Sequence, residues 1–388
     1  MSAQAVSSAV FVTPDTLTVE WADGSLGEFA SVWLRDNLPQ DRDPTSGQRL
    51  VDIADLPELP RIRSAVARGG TIRVEWEGES TPALFDLNWL AAQSRTARDQ
   101  RPELARRFWL EGARLEASRD FAWASIEDVS EDRARLVWLM RLLQEGVAFL
   151  RDVPSTEGAL LEAMRWVGRV AETNYGPVFD VRSVPQPENL AYSDYGLGLH
   201  TDNPYREPVP GFQALHVLIA SPEGGDSLFA DGFALAEHLR AEDPSSFALL
   251  TQIAVPFHYA SHNADLYAQR PLIELSCGGE VVAVHYNSRS IAPLRLRAQD
   301  ARAFYGAYRR FATLLHDRRF QMRLRLAAGN LVVFDNQRIL HGRTAFSSAR
   351  HPRHLRGCYL TRDSLYSAAA LLRRELDRRS LDPHRGHP

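Results

Sequence analysis

The stretch Leu197-Gly-Leu-His-Thr-Asp-Asn-Pro-Tyr205 places a histidine and an aspartate two positions apart, and chemistry can start from that pair. On an extended strand, residues two apart project to the same face, so His200 and Asp202 can converge on one point and hold a metal. A third donor comes from His341 in Leu331-Val-Val-Phe-Asp-Asn-Gln-Arg-Ile-Leu-His-Gly-Arg343, where an apolar strand pattern runs into a turn and then presents the histidine. Two histidines and one carboxylate on one face of an octahedron leave three positions open, the arrangement with which non-haem Fe(II) activates oxygen. Arg353, in Arg350-His-Pro-Arg-His-Leu-Arg-Gly-Cys-Tyr359, offers a planar fork suited to a carboxylate of a co-substrate. A lone His-x-Asp is a weak motif; the ordered set of histidine, aspartate, histidine and arginine is far more specific.

Such a set needs a frame. At 388 residues, with 44% hydrophobic and 24% charged side chains, the chain can bury a large core and has the composition of a globular protein. Its net charge of −4 invites neither nucleic acid nor an acidic membrane, and the basic residues are overwhelmingly arginine. Two cysteines, Cys277 and Cys358, exclude a disulfide framework and fit a reducing compartment. The start has no basic n-region or long apolar core, and no stretch reaches the length of a membrane span, so a cytoplasmic location is expected.

Alternation at Leu17, Val19 and Trp21, over 29–34, and at Ile72, Val74 and Trp76 predicts a small β-rich N-terminal domain which, with a partly helical connector over about 83–120, occupies residues 1–115. From 116 to 388 a second domain is expected. It starts with a helix ending near Gly146, a buried strand over 147–150 and a helix capped by Ser155 or Thr156. Strands then dominate: 212–219, 271–275, 281–286 and 331–334, with helices over 234–240 and 298–316 and a helical tail over 364–379. Mainly β structure with flanking helices suits a jelly roll, whose facing sheets form a pocket for inward-pointing ligands. The tail is expected to pack on that domain or on a second subunit, and the chain to form a homodimer. His216 and His285 lie in apolar runs and read as core or ligand-supporting histidines; Cys358 reads as a buried filler.

These residues, with Trp33-Leu-Arg-Asp-Asn37, Gly224-Gly-Asp-Ser-Leu-Phe-Ala-Asp-Gly-Phe233 and Phe334-Asp-Asn336, resemble the Fe(II)/2-oxoglutarate dioxygenases, in particular the γ-butyrobetaine and trimethyllysine dioxygenase branch of the taurine-dioxygenase-like group. The resemblance implies a double-stranded β-helix. It implies Fe(II) held by His200, Asp202 and His341, with the distal carboxylate of 2-oxoglutarate on Arg353 and help from the Ser227 hydroxyl. The implied reaction consumes O2 and 2-oxoglutarate, hydroxylates an unactivated C–H and releases succinate and CO2. The carboxylate at 202 favours hydroxylation, because related halogenases lack it. Enzymes of this branch carry a structural zinc on N-terminal cysteines; the stretch 38–45 has none, so no structural zinc is expected here.

The resemblance also implies a substrate with a quaternary ammonium group, which proteins hold on aromatic faces. Tyr175, Phe179, Tyr192 and Tyr359 match the cage positions, with Phe179 in place of a tryptophan. Asn203 departs from the pattern, which has a tyrosine after the aspartate. Asn189 matches an asparagine that binds the substrate carboxylate; a second such asparagine is Ser288 here, with Arg289 beside it. The expected substrate is therefore γ-butyrobetaine-like. The alternatives are a trimethylammonium phosphonate, to which Arg289 suits better, and outside the oxygenases a silent jelly-roll binding protein or a cupin-type metal protein such as an isomerase. Oxygen uptake dependent on 2-oxoglutarate separates the classes.

Overall fold

The computed structural model describes residues 7–94, 105–110, 121–127, 131–182, 193–347 and 353–381. The chain divides into two compact units, Met1–Ala105 and Arg106–Pro388. The expected division lay after residue 115. The structure is mainly β with several helices. Among the described residues, no helix is long and apolar enough to cross a membrane.

In the first unit β1 (Ser7–Val12), β2 (Thr16–Trp21) and β3 (Leu26–Ala30) form one antiparallel sheet, and β4 (Ile62–Arg68), β5 (Thr71–Trp76) and β6 (Ala83–Asp86) form another. Period-2 alternation builds the core: Leu17, Val19 and Trp21 of β2 and Ile72, Val74 and Trp76 of β5 are buried with Phe29 and Phe85. The expected strand over 29–34 stops at Ala30 and becomes α1 (Ser31–Asp36). Its buried residues are Ser31 and Leu34, a spacing of three that a helix, not a strand, puts on one face. The Trp33 ring packs on Phe29 and on Trp89 of α2 (Leu87–Ser94), at 5.4 and 5.6 Å. Of the connector expected over 83–120, residues 95–104 and 111–120 lie outside the described residues, and 105–110 is irregular.

The second unit opens with α3 (Ala124–Glu127), α4 (Asp132–Glu145), β7 (Val147–Leu150), α5 (Ala159–Met164), β8 (Val170–Ala171) and β9 (Phe179–Arg182). The expected cap of α5 by Ser155 or Thr156 does not form. The Ala159 N–H bonds the Thr156 carbonyl and no side chain caps the helix. Then come β10 (Leu197–His200), β11 (Phe212–Ile219), β12 (Ser227–Asp231), α6 (Gly232–Glu242), α7 (Pro244–Gln252), β13 (Val255–Ala260), β14 (Asp265–Arg270), β15 (Ile273–Leu275) and β16 (Val281–Val284). The last elements are α8 (Ala298–His316), β17 (Met322–Leu324), β18 (Leu331–Asp335), β19 (Ile339–Arg343), β20 (His354–Leu360) and α9 (Arg362–Leu381). The helical tail packs on α4 of its own chain, where Arg379 pairs with Asp132 at 3.0 Å.

Two antiparallel sheets frame the site. One has the order β10, β19, β12, β17; the other has β7, β18, β11, β20, β8, with β9 also paired to β20. Alternate residues of the first sheet serve two cores. Phe229 and Ile339 join Phe149, Val332 and Phe334 from the second sheet, whereas Ala230, Leu340 and Leu199 face a core made with α6, α7 and α8. The turn between β18 and β19 is fixed by a fully buried ion pair, Arg338 to Asp231 at 2.8 Å. Asp231 also accepts from the N–H groups of Phe233 and Ala234 as the cap of α6, and Arg338 also donates to the carbonyls of Gln144 and Arg107. Gly146 ends α4 at φ 80° and lies so close to this pair that a Cβ there would meet Arg338 and Ile339 at 2.9 Å.

Removing one partner of a buried pair leaves an uncompensated charge, so Asp231→Ala is expected to lower the unfolding free energy in urea by roughly 3–5 kcal/mol. A loss under about 1 kcal/mol would deny the pair its structural role. Residues 1–105 contain neither cysteine nor histidine. Elemental analysis of iron-stripped protein is therefore expected to find no stoichiometric zinc; one tightly held zinc per chain would contradict this.

Candidate active site

Strand register brings the two histidines together. His200 on β10 is paired with His341 on β19, their rings 4.3 Å apart, and His341 is paired on its other side with Phe229 on β12. Asp202 arrives differently from the expectation that it shares a strand with His200. β10 ends at His200, and Asp202 lies in the bend beyond it. What aims it is the side chain of Asn336, in the turn after β18: Oδ1 accepts from the Asp202 N–H at 2.7 Å, and Nδ2 donates to the Asp202 carbonyl at 3.0 Å. Thr201 is tied in turn to Tyr286 and Asn287. The convergence of 200 and 202 is thus made by tertiary hydrogen bonds to a bent segment.

The donor atoms of His200, Asp202 and His341 lie within 4.8 Å of one another. His200 Nε2 is 3.2 Å from Asp202 Oδ1, and His341 Nε2 is 3.8 Å from Oδ2. The His200 Nδ1–H donates to the Gly198 carbonyl at 2.8 Å, which leaves the Nε2 lone pair for a metal. Burial opposes the charged form of Asp202, but His200, His341 and the Tyr359 hydroxyl outweigh it and hold the carboxyl well below the usual carboxylate range. Burial, then the adjacent His200, pushes His341 down to about 3. A neutral imidazole beside an ionised carboxylate is the state that metal binding requires. The donor set therefore fits a divalent iron.

A cavity of about 350 Å³ opens on these ligands. β20 builds one wall by alternation, with Leu355 and Tyr359 lining the cavity and Gly357 between them, and Arg353 joins that wall from just before the strand. At Gly357 a Cβ would fall 2.4 Å from the Phe179 ring, so glycine is what lets that ring lie over the strand, 5.0 Å from Tyr359. Ser227 of β12 lines the cavity opposite Arg343 in the β12–β19 register. Tyr175 lies 6.3 Å from Tyr259, which stacks on Tyr205 at 5.0 Å. Asn203 also lines the cavity, with φ 55°, and its Oδ1 accepts from the Tyr205 hydroxyl at 2.6 Å.

Positive charge dominates. Arg289, Arg343 and Arg353 line the cavity, and Asp202 is the one carboxylate among its described lining residues. Burial, then Arg343, depresses Arg353 to about 10; it has no ion-pair partner among the described residues and rests on the Phe346 ring at 5.8 Å. Arg343, lowered to about 10 by burial and then by Arg289, donates to the carbonyls of Ser193 and Tyr195. Burial lowers Arg289 too, against the pull of Asp202 and Tyr205.

Of the residues expected at the site, Ser288 is not brought to it. Its side chain is exposed and directed to Tyr308, while Asn287 and Ser290 on either side of it and Arg289 line the cavity. Asn189 and Tyr192 lie outside the described residues. His216 and His285 are buried away from the cavity, and burial pushes the Cys358 thiol up to about 12, in keeping with an inert filler. Tyr205, Tyr259, Asn287, Ser290 and Arg343 were not anticipated. Tyr205 and Arg343 stand inside the quoted motifs, so their place was readable; Tyr259 comes in on the β13–β14 hairpin, which no motif marks.

Residues 110–359 match the family model described as Taurine catabolism dioxygenase TauD, TfdA family. A gamma-butyrobetaine dioxygenase of Pseudomonas sp. (strain AK-1) is 35% identical over 367 residues, 92% of this chain and 94% of its own. A dioxygenase of Strobilurus tenacellus is 30% identical over 360 residues, 88% of this chain and 84% of its own. A trimethyllysine dioxygenase of Meyerozyma guilliermondii is 28% identical over 379 residues, 92% of this chain and 94% of its own. Neither a silent binding protein nor a cupin isomerase is compatible with matches of this extent joined to an intact iron-binding triad. The chain belongs to the TauD/TfdA family and is an Fe(II)/2-oxoglutarate-dependent dioxygenase.

Proposed function

We propose that the enzyme hydroxylates an unactivated C–H of a small trimethylammonium zwitterion of the γ-butyrobetaine type, in a cavity between the facing sheets of a double-stranded β-helix. The observation that carries the proposal is one cavity joining aromatic faces to guanidinium groups around the triad. A quaternary ammonium has no N–H to donate and is held by ring faces, whereas its anionic end calls for fixed donors. The names of the relatives from Pseudomonas and Meyerozyma point to the same substrate class.

The residues divide the work. Arg353 binds the distal carboxylate of 2-oxoglutarate, since a buried guanidinium with no carboxylate partner among the described residues is stabilised by an anion that completes it. Ser227 adds a hydroxyl beside it. Tyr175, Phe179 and Tyr359 present the ammonium cage, Tyr192 joining them from the sequence alone, and Tyr205 and Tyr259 extend it. Asn203 serves the other end, because its buried Nδ2 has no hydrogen-bond partner among the described residues. Arg289 stands with it, and Asn189 joins from the sequence alone. Bound iron and 2-oxoglutarate supply the oxidising chemistry: one oxygen atom of O2 ends in succinate as CO2 is lost, and the other in the hydroxylated substrate.

A second reading rests on Arg289. A phosphonate carries more charge and more acceptor oxygens than a carboxylate and gains more from a guanidinium. A trimethylammonium phosphonate would therefore exploit Arg289 where a carboxylate needs only amides.

Oxygen uptake is expected to require 2-oxoglutarate and to rise on adding γ-butyrobetaine, with succinate and hydroxylated product formed in equal amounts; uptake unaffected by any trimethylammonium compound would sink the proposal. His341→Ala should abolish turnover, and a variant that oxidised substrate normally would remove His341 from the triad. Arg353→Ala should cost about 2–3 kcal/mol of co-substrate binding, read as a KM for 2-oxoglutarate raised roughly 30- to 150-fold. An unchanged KM would move that role elsewhere. With γ-butyrobetaine and 2-trimethylaminoethylphosphonate at equal concentration, the first should be turned over preferentially. Preference for the phosphonate, lost in Arg289→Ala, would reverse the order.

A further inference from the structure

Tyr359 stands at a junction between two parts of the site. Its ring packs against Phe179 at 5.0 Å in the aromatic wall, and its hydroxyl donates to Asp202 Oδ2 at 2.8 Å. The register of β20 fixes this position, since Tyr359 is paired with Gln213 of β11 on one side and with Ala171 of β8 on the other. A carboxylate can only accept, so at this distance the Tyr359 hydroxyl is the donor.

We propose that Tyr359 is a positioning residue for the iron ligand Asp202, its hydroxyl tying down Oδ2 so that Oδ1 is presented to the metal. Asn336 holds the aspartate backbone from two sides but leaves its carboxylate free to turn about the last side-chain bond. The bond from Tyr359 to Oδ2 restrains that rotation from the side opposite the histidine contact to Oδ1. It matters because a facial triad must supply three donor atoms and no more: a carboxylate that swung to bind through both oxygens would take a position needed by the co-substrate. The iron half of this inference depends on the triad alone. Only the statement that the same ring touches substrate rests on the proposed trimethylammonium reading.

Titration of metal-free protein with Co(II), followed by visible absorption in the absence of 2-oxoglutarate and substrate, tests the iron half independently of any substrate. Tyr359→Phe, which keeps the ring and deletes one hydroxyl, is expected to raise the Co(II) Kd about 10-fold, the usual cost of losing a hydrogen bond behind a metal ligand. It should also change the Co(II) absorption envelope, while circular dichroism and the urea midpoint stay as in the parent. Phe179→Leu, which disturbs the same aromatic packing but leaves the hydroxyl, is expected to leave Co(II) affinity unchanged. Wild-type affinity in Tyr359→Phe would overturn the proposal. So would an equal loss in Phe179→Leu, because the effect would then be one of packing.

Discussion

The buried pair of Arg338 and Asp231 is the constraint from which the site is built. One carboxylate ends β12 and caps α6, and one guanidinium closes the β18–β19 turn while collecting carbonyls from the end of α4 and from residue 107. Two sheets, a helix start and a helix end are thereby referred to a single fully enclosed charge pair. The consequences pass along β19 in steps of one residue. Ile339 seals the inner core, Leu340 faces the helices, and His341 enters the cavity. Asn336, two residues before Arg338 in the same turn, reaches across to clamp Asp202. One turn therefore sets both the strand that carries a histidine ligand and the side chain that aims the carboxylate.

Around that centre the electrostatics are lopsided by construction. Among the described residues three guanidiniums line the cavity against one carboxylate, and a bound iron(II) ion would add to the imbalance. Burial depresses Arg343 and Arg353 only to about 10, so both remain charged at neutral pH. Such a field favours a dianion over any neutral molecule of similar size. The trimethylammonium head proposed above would then have to be recognised by something other than charge, and the rings of Tyr175, Phe179, Tyr205, Tyr259 and Tyr359 offer a face that a cation can use despite the surroundings.

What the sequence displayed and what it hid divide along physical lines. The metal-ligand set was readable because metal chemistry tolerates few residue types, and His200, Asp202 and His341 stand in short motifs. The period-2 strands β2 and β5 were readable because one buried face leaves its mark on alternate residues, and β11 because a strand buried on both faces reads as an apolar run. Asp202 was placed correctly in space for a wrong reason: the strand ends before it, and a side chain distant in sequence replaces the strand's geometry. Side-chain direction in an irregular segment has no period, which is why Ser288 is found facing Tyr308 while its neighbours face the cavity. Tyr259 was hidden because it rides on the β13–β14 hairpin, which no sequence motif marks and whose docking is tertiary. The tail helix and α8 followed their amphipathic patterns.

Gly357 gives the cavity wall a division of labour with an evolutionary meaning. Because β20 offers no side chain at that point, the breadth of the site there is decided by whatever ring residue 179 lends from the neighbouring strand. Selection can enlarge or shrink that ring without altering a single atom of Arg353, Asp202 or the histidines. Substrate range can thus drift while the oxidative machinery stays intact, and a lineage of enzymes sharing one chemistry can explore new substrates by changing a position that never meets the metal.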